Sequence, residues 1–121
     1  MTKVTVDFVA FDDERNAVLL VFVEEGWSAD VDAHLRSLQE RFFTAMEAAL
    51  DGDLADKFPK SVGRNLVIQV DCYDLPSQPI DEFVARFAEG IRNLPDFSTA
   101  DSPYIRSIDF EVRHEAIRRE G

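Results

Sequence analysis

Residues 27–59, WSADVDAHLRSLQERFFTAMEAALDGDLADKFP, decide the fold. Stepping 100° per residue from Leu35 puts Val31, Leu38, Phe42, Ala45, Met46, Ala49 and Leu50 on one side of a helix and Arg36, Ser37, Glu40, Arg41, Thr44 and Glu47 on the other. An apolar stripe of that width faces a core. Ser28 is the expected N-cap, its hydroxyl accepting from an amide that the first turn leaves unpaired. Asp30 and Asp32 then sit in the first turn, where the helix dipole favours negative charge. Gly52 follows the last periodic residue, the usual place for a C-terminal glycine. Leu54 and Phe58 add a further apolar turn before Pro59 stops the chain. About 22 residues at 1.5 Å each make a rod ~33 Å long, which one face of a small sheet can cradle.

Two strands precede this helix. Residues 3–11, KVTVDFVAF, alternate: Val4, Val6, Phe8 and Ala10 point one way, Thr5, Asp7, Val9 and Phe11 the other. Residues 12–16, DDERN, form a polar turn without the Asn-Gly or Asp-Gly pair of the tightest hairpins. Residues 17–24, AVLLVFVE, are apolar on both faces, as a central strand is. After the helix, residues 65–73, NLVIQVDCY, place Leu66, Ile68, Val70 and Cys72 on one face. Pro79 then opens a second helix striped by Ile80, Phe83, Val84, Phe87 and Ile91, stopped at Asn93-Leu94-Pro95. Residues 104–113, YIRSIDFEVR, alternate as a last strand, and a short charged tail follows.

The order β-β-α-β-α-β predicts an α+β fold in one domain, residues 1–121. Its form is a two-layer α/β sandwich: a four-stranded mixed sheet with both helices on one face, carried there by two right-handed crossovers. Strand order stays open. The other face is expected to show Val9, Phe11, the off-side residues of strand two, Val67 and Tyr73. An apolar patch of that kind marks a protein contact, so a homodimer or a docked protein partner is expected there. The competing expectation is that the tail and the 96–103 loop cover it.

Net charge is −11, from 24 acidic and 13 basic residues. That excludes unassisted binding to nucleic acid or to an anionic membrane, since both need neutralising cations. It suits plain solubility or a basic partner. A single cysteine, Cys72, excludes an internal disulfide and an all-cysteine metal site. No segment approaches the ~18 apolar residues of a membrane span, and MTKVTVDF has no apolar run of signal-peptide length. The expectation is a cytoplasmic protein.

Chemistry-bearing motifs are few. His34 and His114 have no partner at metal-ligand spacing. Residues 51–56, DGDLAD, put Asp56 where a calcium loop needs glycine. Cys72 alternates with Leu66, Ile68 and Val70 and reads as a small core residue rather than a nucleophile. The five glycines are scattered and build no phosphate loop. No metal or cofactor is expected. One clustering stands out. Glu24 and Glu25 end strand two, and Asp71 and Asp74 bracket the end of strand three. With those strands parallel, the four acids share a rim beside Trp27 and Tyr73, in the place where α/β sheets often bind ligands. Such a rim recognises a cationic group over an aromatic floor, or is only a set of solvated carboxylates.

The stretch Val18 to Trp27, the helix HLRSLQERFFTAMEAALDGDL, the Phe58-Pro59 pair and the NLVIQV strand resemble a bacterial domain family of unknown function. Its marks are an aliphatic strand, an acidic-Trp turn, an HL-x-x-LQ helix and a Gly-Leu-Pro exit. They fall here on Glu24, Trp27, His34, Leu35, Leu38, Gln39, Gly52, Leu54 and Pro59, and the likeness covers residues 4–73. It implies no catalytic residue. The leading functional reading is a non-enzymatic module working through protein contacts. A specific form is an immunity- or inhibitor-like protein that neutralises a basic toxin or nuclease. The alternative class is an enzyme or small-ligand binder using the acidic rim with Trp27.

Overall fold

The computed structural model describes residues 6–25, 30–73 and 77–115. Strand β2 (Ala17–Glu25) and strand β3 (Arg64–Tyr73) pair in parallel at the centre of the sheet. β1 (Phe8–Asp12) adds antiparallel to β2, and β4 (Ile105–Glu115) adds parallel to β3. The sheet order is β1-β2-β3-β4. β1 is shorter than the sequence pattern: residues 1–5 lie outside the described residues, and Val6 and Asp7 precede the strand. At the hairpin Asn16 takes φ 50°, a left-handed conformation that asparagine tolerates.

Helix α1 (Val31–Asp51) buries Leu38, Phe42, Ala45, Met46 and Ala49 of the stripe read from the sequence, and Ala48 beside it, while Val31 and Leu50 are half-buried. Its N-cap is Asp30 rather than Ser28. The Asp30 carboxylate accepts from Ala33 N at 3.0 Å, which makes Val31 the first helical residue. Ser28 lies outside the described residues. Gly52 closes α1 at φ 96°, and a Cβ there would come within 2.9 Å of Tyr104 Cζ. Both the dihedral and the space call for glycine. The extra apolar turn is a separate short helix, α2 (Asp53–Lys57), which buries Leu54. Helix α3 (Ser77–Ile91) buries Ile80, Val84, Phe87 and Ile91.

Both long helices cover the same face. Val18, Leu20 and Phe22 of β2 and Leu66, Ile68, Val70 and Cys72 of β3 are each no more than 2% exposed beneath them. Phe42 sits in the middle, its ring 5.7 Å from Phe22, 5.3 Å from Phe87 and 5.4 Å from Phe110.

Two expectations about the other face are corrected. Val9 pairs with Leu20 and Phe11 with Val18, so Val9 and Phe11 belong to the helix-covered side. Antiparallel partners share a face, and alternation alone does not say which face is which. Phe8 and Ala10 take the places foreseen for them, opposite Val21 and Leu19. The 96–103 loop also goes to the helix layer, where Phe97 lies 5.4 Å from Phe43. The tail, beyond Glu115, lies outside the described residues.

Candidate functional site

On the sheet face away from the helices, Ala17, Leu19 and Val21 of β2 and Val67 of β3 form a second apolar cluster, with Val23 packed against it. At its margin Phe8 is 62% exposed. The register sets out the rows: Ala10-Leu19-Val67-Asp109, Phe8-Val21-Gln69-Glu111, then Val23-Asp71-Arg113. The apolar floor is thus flanked by Asp12 on β1 and by Asp109 and Glu111 on β4.

Arg15 ties the two flanks together. Its Nε donates to Asp12 Oδ2 at 2.7 Å, and its Nη1 pairs with Glu111 Oε1. Asp12 ends one outermost strand and Glu111 belongs to the other, so the side chain spans the face. The Arg15 guanidinium holds the Asp12 carboxyl below its usual range, and the two carboxylates raise Arg15 in turn. Gln69, 5% exposed in the middle of the face, donates Nε2 to Asp71 Oδ1 at 2.7 Å. Its Oε1 is buried and has no hydrogen-bond partner among the described residues.

β2 and β3 are parallel, so the ends carrying the predicted rim lie at one end of the sheet. Glu25 stands beside Tyr73, and Asp71 beside Val23, all on the open face. Glu24 is on the opposite face, in register with Cys72 and His114. There it pairs with Arg41 Nη1. Arg41 Nη2 lies 3.5 Å from Asp7 Oδ2, which accepts from Val23 N at 2.7 Å. The Arg41 guanidinium carbon is 4.6 Å from the Phe22 ring centre. Trp27 and Asp74 lie outside the described residues.

Arg41 and Arg15 are the side chains that the sequence pattern did not single out. Arg41 falls on the polar side of its helix and Arg15 in a turn, and neither position carries a signal. A long aliphatic stem lets each reach a partner well away from its own backbone.

Cys72 is 1% exposed. Burial first, then the charges of Asp81, Glu24 and Asp71, push its thiol up to about 12. It is protonated at neutral pH and unsuited to nucleophilic attack. His114, its neighbour in register on β4, points Nε2 at Asp81 Oδ1 of α3, 2.8 Å away. Among the described residues no group of three or more His, Cys, Asp or Glu side chains could hold a metal ion. Over the helix layer, an open groove of about 470 Å³ runs between α1 and α3, with Leu35, Gln39, Pro79 and Arg86 among its walls.

A mixed four-stranded sheet, roofed on one side by helices and, among the described residues, uncovered on the other, defines a two-layer α+β domain whose candidate site is a surface rather than a cleft. The chain belongs to DUF6572, a family of unknown function, whose model matches residues 1–98. The match takes in β1 through α3 and ends before β4. No curated protein and no solved structure matches the chain. Among the described residues no helix is long and apolar enough to cross a membrane.

Proposed function

We propose that this protein is a non-enzymatic interaction domain that docks a protein partner on its open sheet face. One observation carries the reading: an apolar floor of Leu19, Val21 and Val67, edged by the protruding Phe8 and bounded by Asp12, Asp71, Asp109 and Glu111 against Arg15 and Arg113. A partner that fits this surface brings an apolar anchor for the floor and basic groups for the flanks. The net charge of −11 steers such a partner from a distance, which raises the encounter rate more than the final affinity. A partner's basic side chain takes over Asp12 or Glu111 from Arg15, and a partner's N–H reaches Gln69 Oε1 once the face rearranges around it.

Glu25, Asp71 and Tyr73 extend this surface at its strand-end margin, whereas Glu24 is committed to Arg41. The most specific form of the reading is an inhibitor- or immunity-like protein, in keeping with the likeness to a bacterial family, that neutralises a basic toxin or nuclease by charge complementarity.

The test is affinity capture from a lysate at physiological salt, followed by comparison of variants. Phe8→Asp and Asp71→Lys alter the open face, and Glu47→Lys is the control on the exposed side of α1. A basic protein retained by the wild type and the control, and lost by both open-face variants, is the expected result. A retained set that ignores Phe8→Asp and Asp71→Lys, or that is lost with Glu47→Lys alone, counts against the reading.

A further inference from the structure

We infer that β4 is a self-pairing edge, along which two copies of this chain join antiparallel about a two-fold axis at Glu111 to make one eight-stranded sheet. β4 is 11 residues long and has a sheet neighbour on one side only among the described residues. Such an edge offers a row of backbone donors and acceptors to another strand. Their identity follows from the register. Asn65 N donates to Asn16 O, on the β2 side. Backbone groups alternate sides along a strand, so those of Leu66, Ile68 and Val70 turn to β4. They meet residues 107, 109, 111 and 113 there, because parallel partners bond to the residues flanking their opposite number. The groups of Ile108, Phe110 and Val112 are left pointing outward. β1, the other outer strand, has only five residues and offers much less.

The charges on β4 complement themselves. On the open face it carries Asp109, Glu111 and Arg113 in alternation. Arg113 is exposed and has no ion pair among the described residues. Asp71, its neighbour on β3, instead accepts from Gln69. Among the described residues Asp109 receives only a long contact from Ser107 Oγ, at 3.4 Å. Antiparallel pairing centred on Glu111 sets Asp109 opposite Arg113 of the second copy, and does so twice. On the helix side it sets Phe110 opposite Val112, also twice, and both of these are half-buried in the single chain. The one like-charge meeting is Glu111 with its own copy, and each Glu111 already holds an Arg15. Opposite charges directly across strands stabilise a pairing and like charges oppose it. Each chain is at −11, so the interface forms best where salt screens charges beyond about 8 Å, at physiological ionic strength.

This edge shares Asp109, Glu111 and Arg113 with the flank of the docking face but joins through the outward backbone of β4, so two copies lay their open faces side by side; the docking test turns on Phe8 and Asp71, and a failed test here leaves the docking proposal standing. The experiment is sedimentation equilibrium of the full chain at physiological salt, with Arg113→Asp, Asp109→Arg and the double exchange. The wild type is expected to dimerise reversibly. Each single change sets like charges against each other twice and weakens association by about tenfold or more, and the double exchange restores it. A wild type that stays monomeric at the highest attainable concentration overturns the inference. So does a dimer indifferent to both single changes, or a double exchange no better than either single.

Discussion

Replacing Phe42 with alanine tests the packing on which the helix layer depends. Phe42 is 0% exposed. Its ring meets Phe22 of β2 at 5.7 Å, Phe83 and Phe87 of α3 at 6.3 and 5.3 Å, and Phe110 of β4 at 5.4 Å. Those neighbours come from three elements held by the rest of the fold, so the site cannot collapse to fill the void. Buried Phe→Ala changes cost about 3–5 kcal/mol, and the rigid surroundings place this one near 4. At roughly 2.1 cal/mol/K per residue, the unfolding entropy of 121 residues is ~0.25 kcal/mol/K, so the melting temperature should fall by ~16 °C. The neighbouring Phe43 is only half-buried, and its aromatic neighbours among the described residues are Phe87 and Phe97, at 5.0 and 5.4 Å. Phe43→Ala should cost about half as much. Urea titration followed by far-UV circular dichroism gives both numbers, with the slope against urea unchanged if the change acts on the folded state. A loss below about 1.5 kcal/mol at Phe42, or a larger loss at Phe43, refutes the packing described.

Gly52→Ala meets both the φ of 96° and the 2.9 Å approach of Tyr104 Cζ, and should cost about 1–3 kcal/mol in thermal melts. Tyr104→Ala in the same chain relieves the crowding but not the dihedral, so part of the Gly52 penalty persists. Arg41→Met removes the guanidinium that pairs with the Glu24 carboxylate, whose side chain is 16% exposed, and should cost about 1–3 kcal/mol; adding Glu24→Gln should cost less than the two single changes summed. Cys72, held near 12, should resist thiol reagents at pH 8 in the folded chain and react readily in denaturant. The folded chain keeps that proton longer than the unfolded one, so its contribution is full below the ordinary thiol range and is lost as pH rises toward about 12. The Cys72→Ala chain should lack that alkaline slope. Asp12 has the opposite sign: its depressed carboxyl stabilises above the ordinary carboxylate range, and that contribution fades as pH falls below it.

Much of the helix layer was legible because helical period and burial coincide. Leu38, Phe42, Ala45, Met46 and Ala49 are buried members of the stripe read from the sequence, whose Val31 and Leu50 are half-buried, and Leu66, Ile68, Val70 and Cys72 are buried as read along β3. Gly52 was legible for a stereochemical reason, since few other residues tolerate that φ. The face of β1 was not. Alternation has a period but no origin, and only the pairing of Val9 with Leu20 sets the phase. The N-cap missed by two residues because Ser28 and Asp30 both satisfy the same chemistry. At the rim, parity alone separates Glu24 from Glu25, since consecutive strand residues face opposite ways. The partners Arg15 and Arg41 could not be found from pattern, because each acts across elements distant in sequence.

The docking face is tested most directly by methyl NMR on the full chain, titrated with a basic protein retained in the capture experiment. Docking there predicts shifts concentrated at Leu19, Val21, Val23 and Val67, with Leu35, Leu38 and Ile80 on the helix side unmoved. Shifts gathered instead at Leu35 and Ile80 would contradict it.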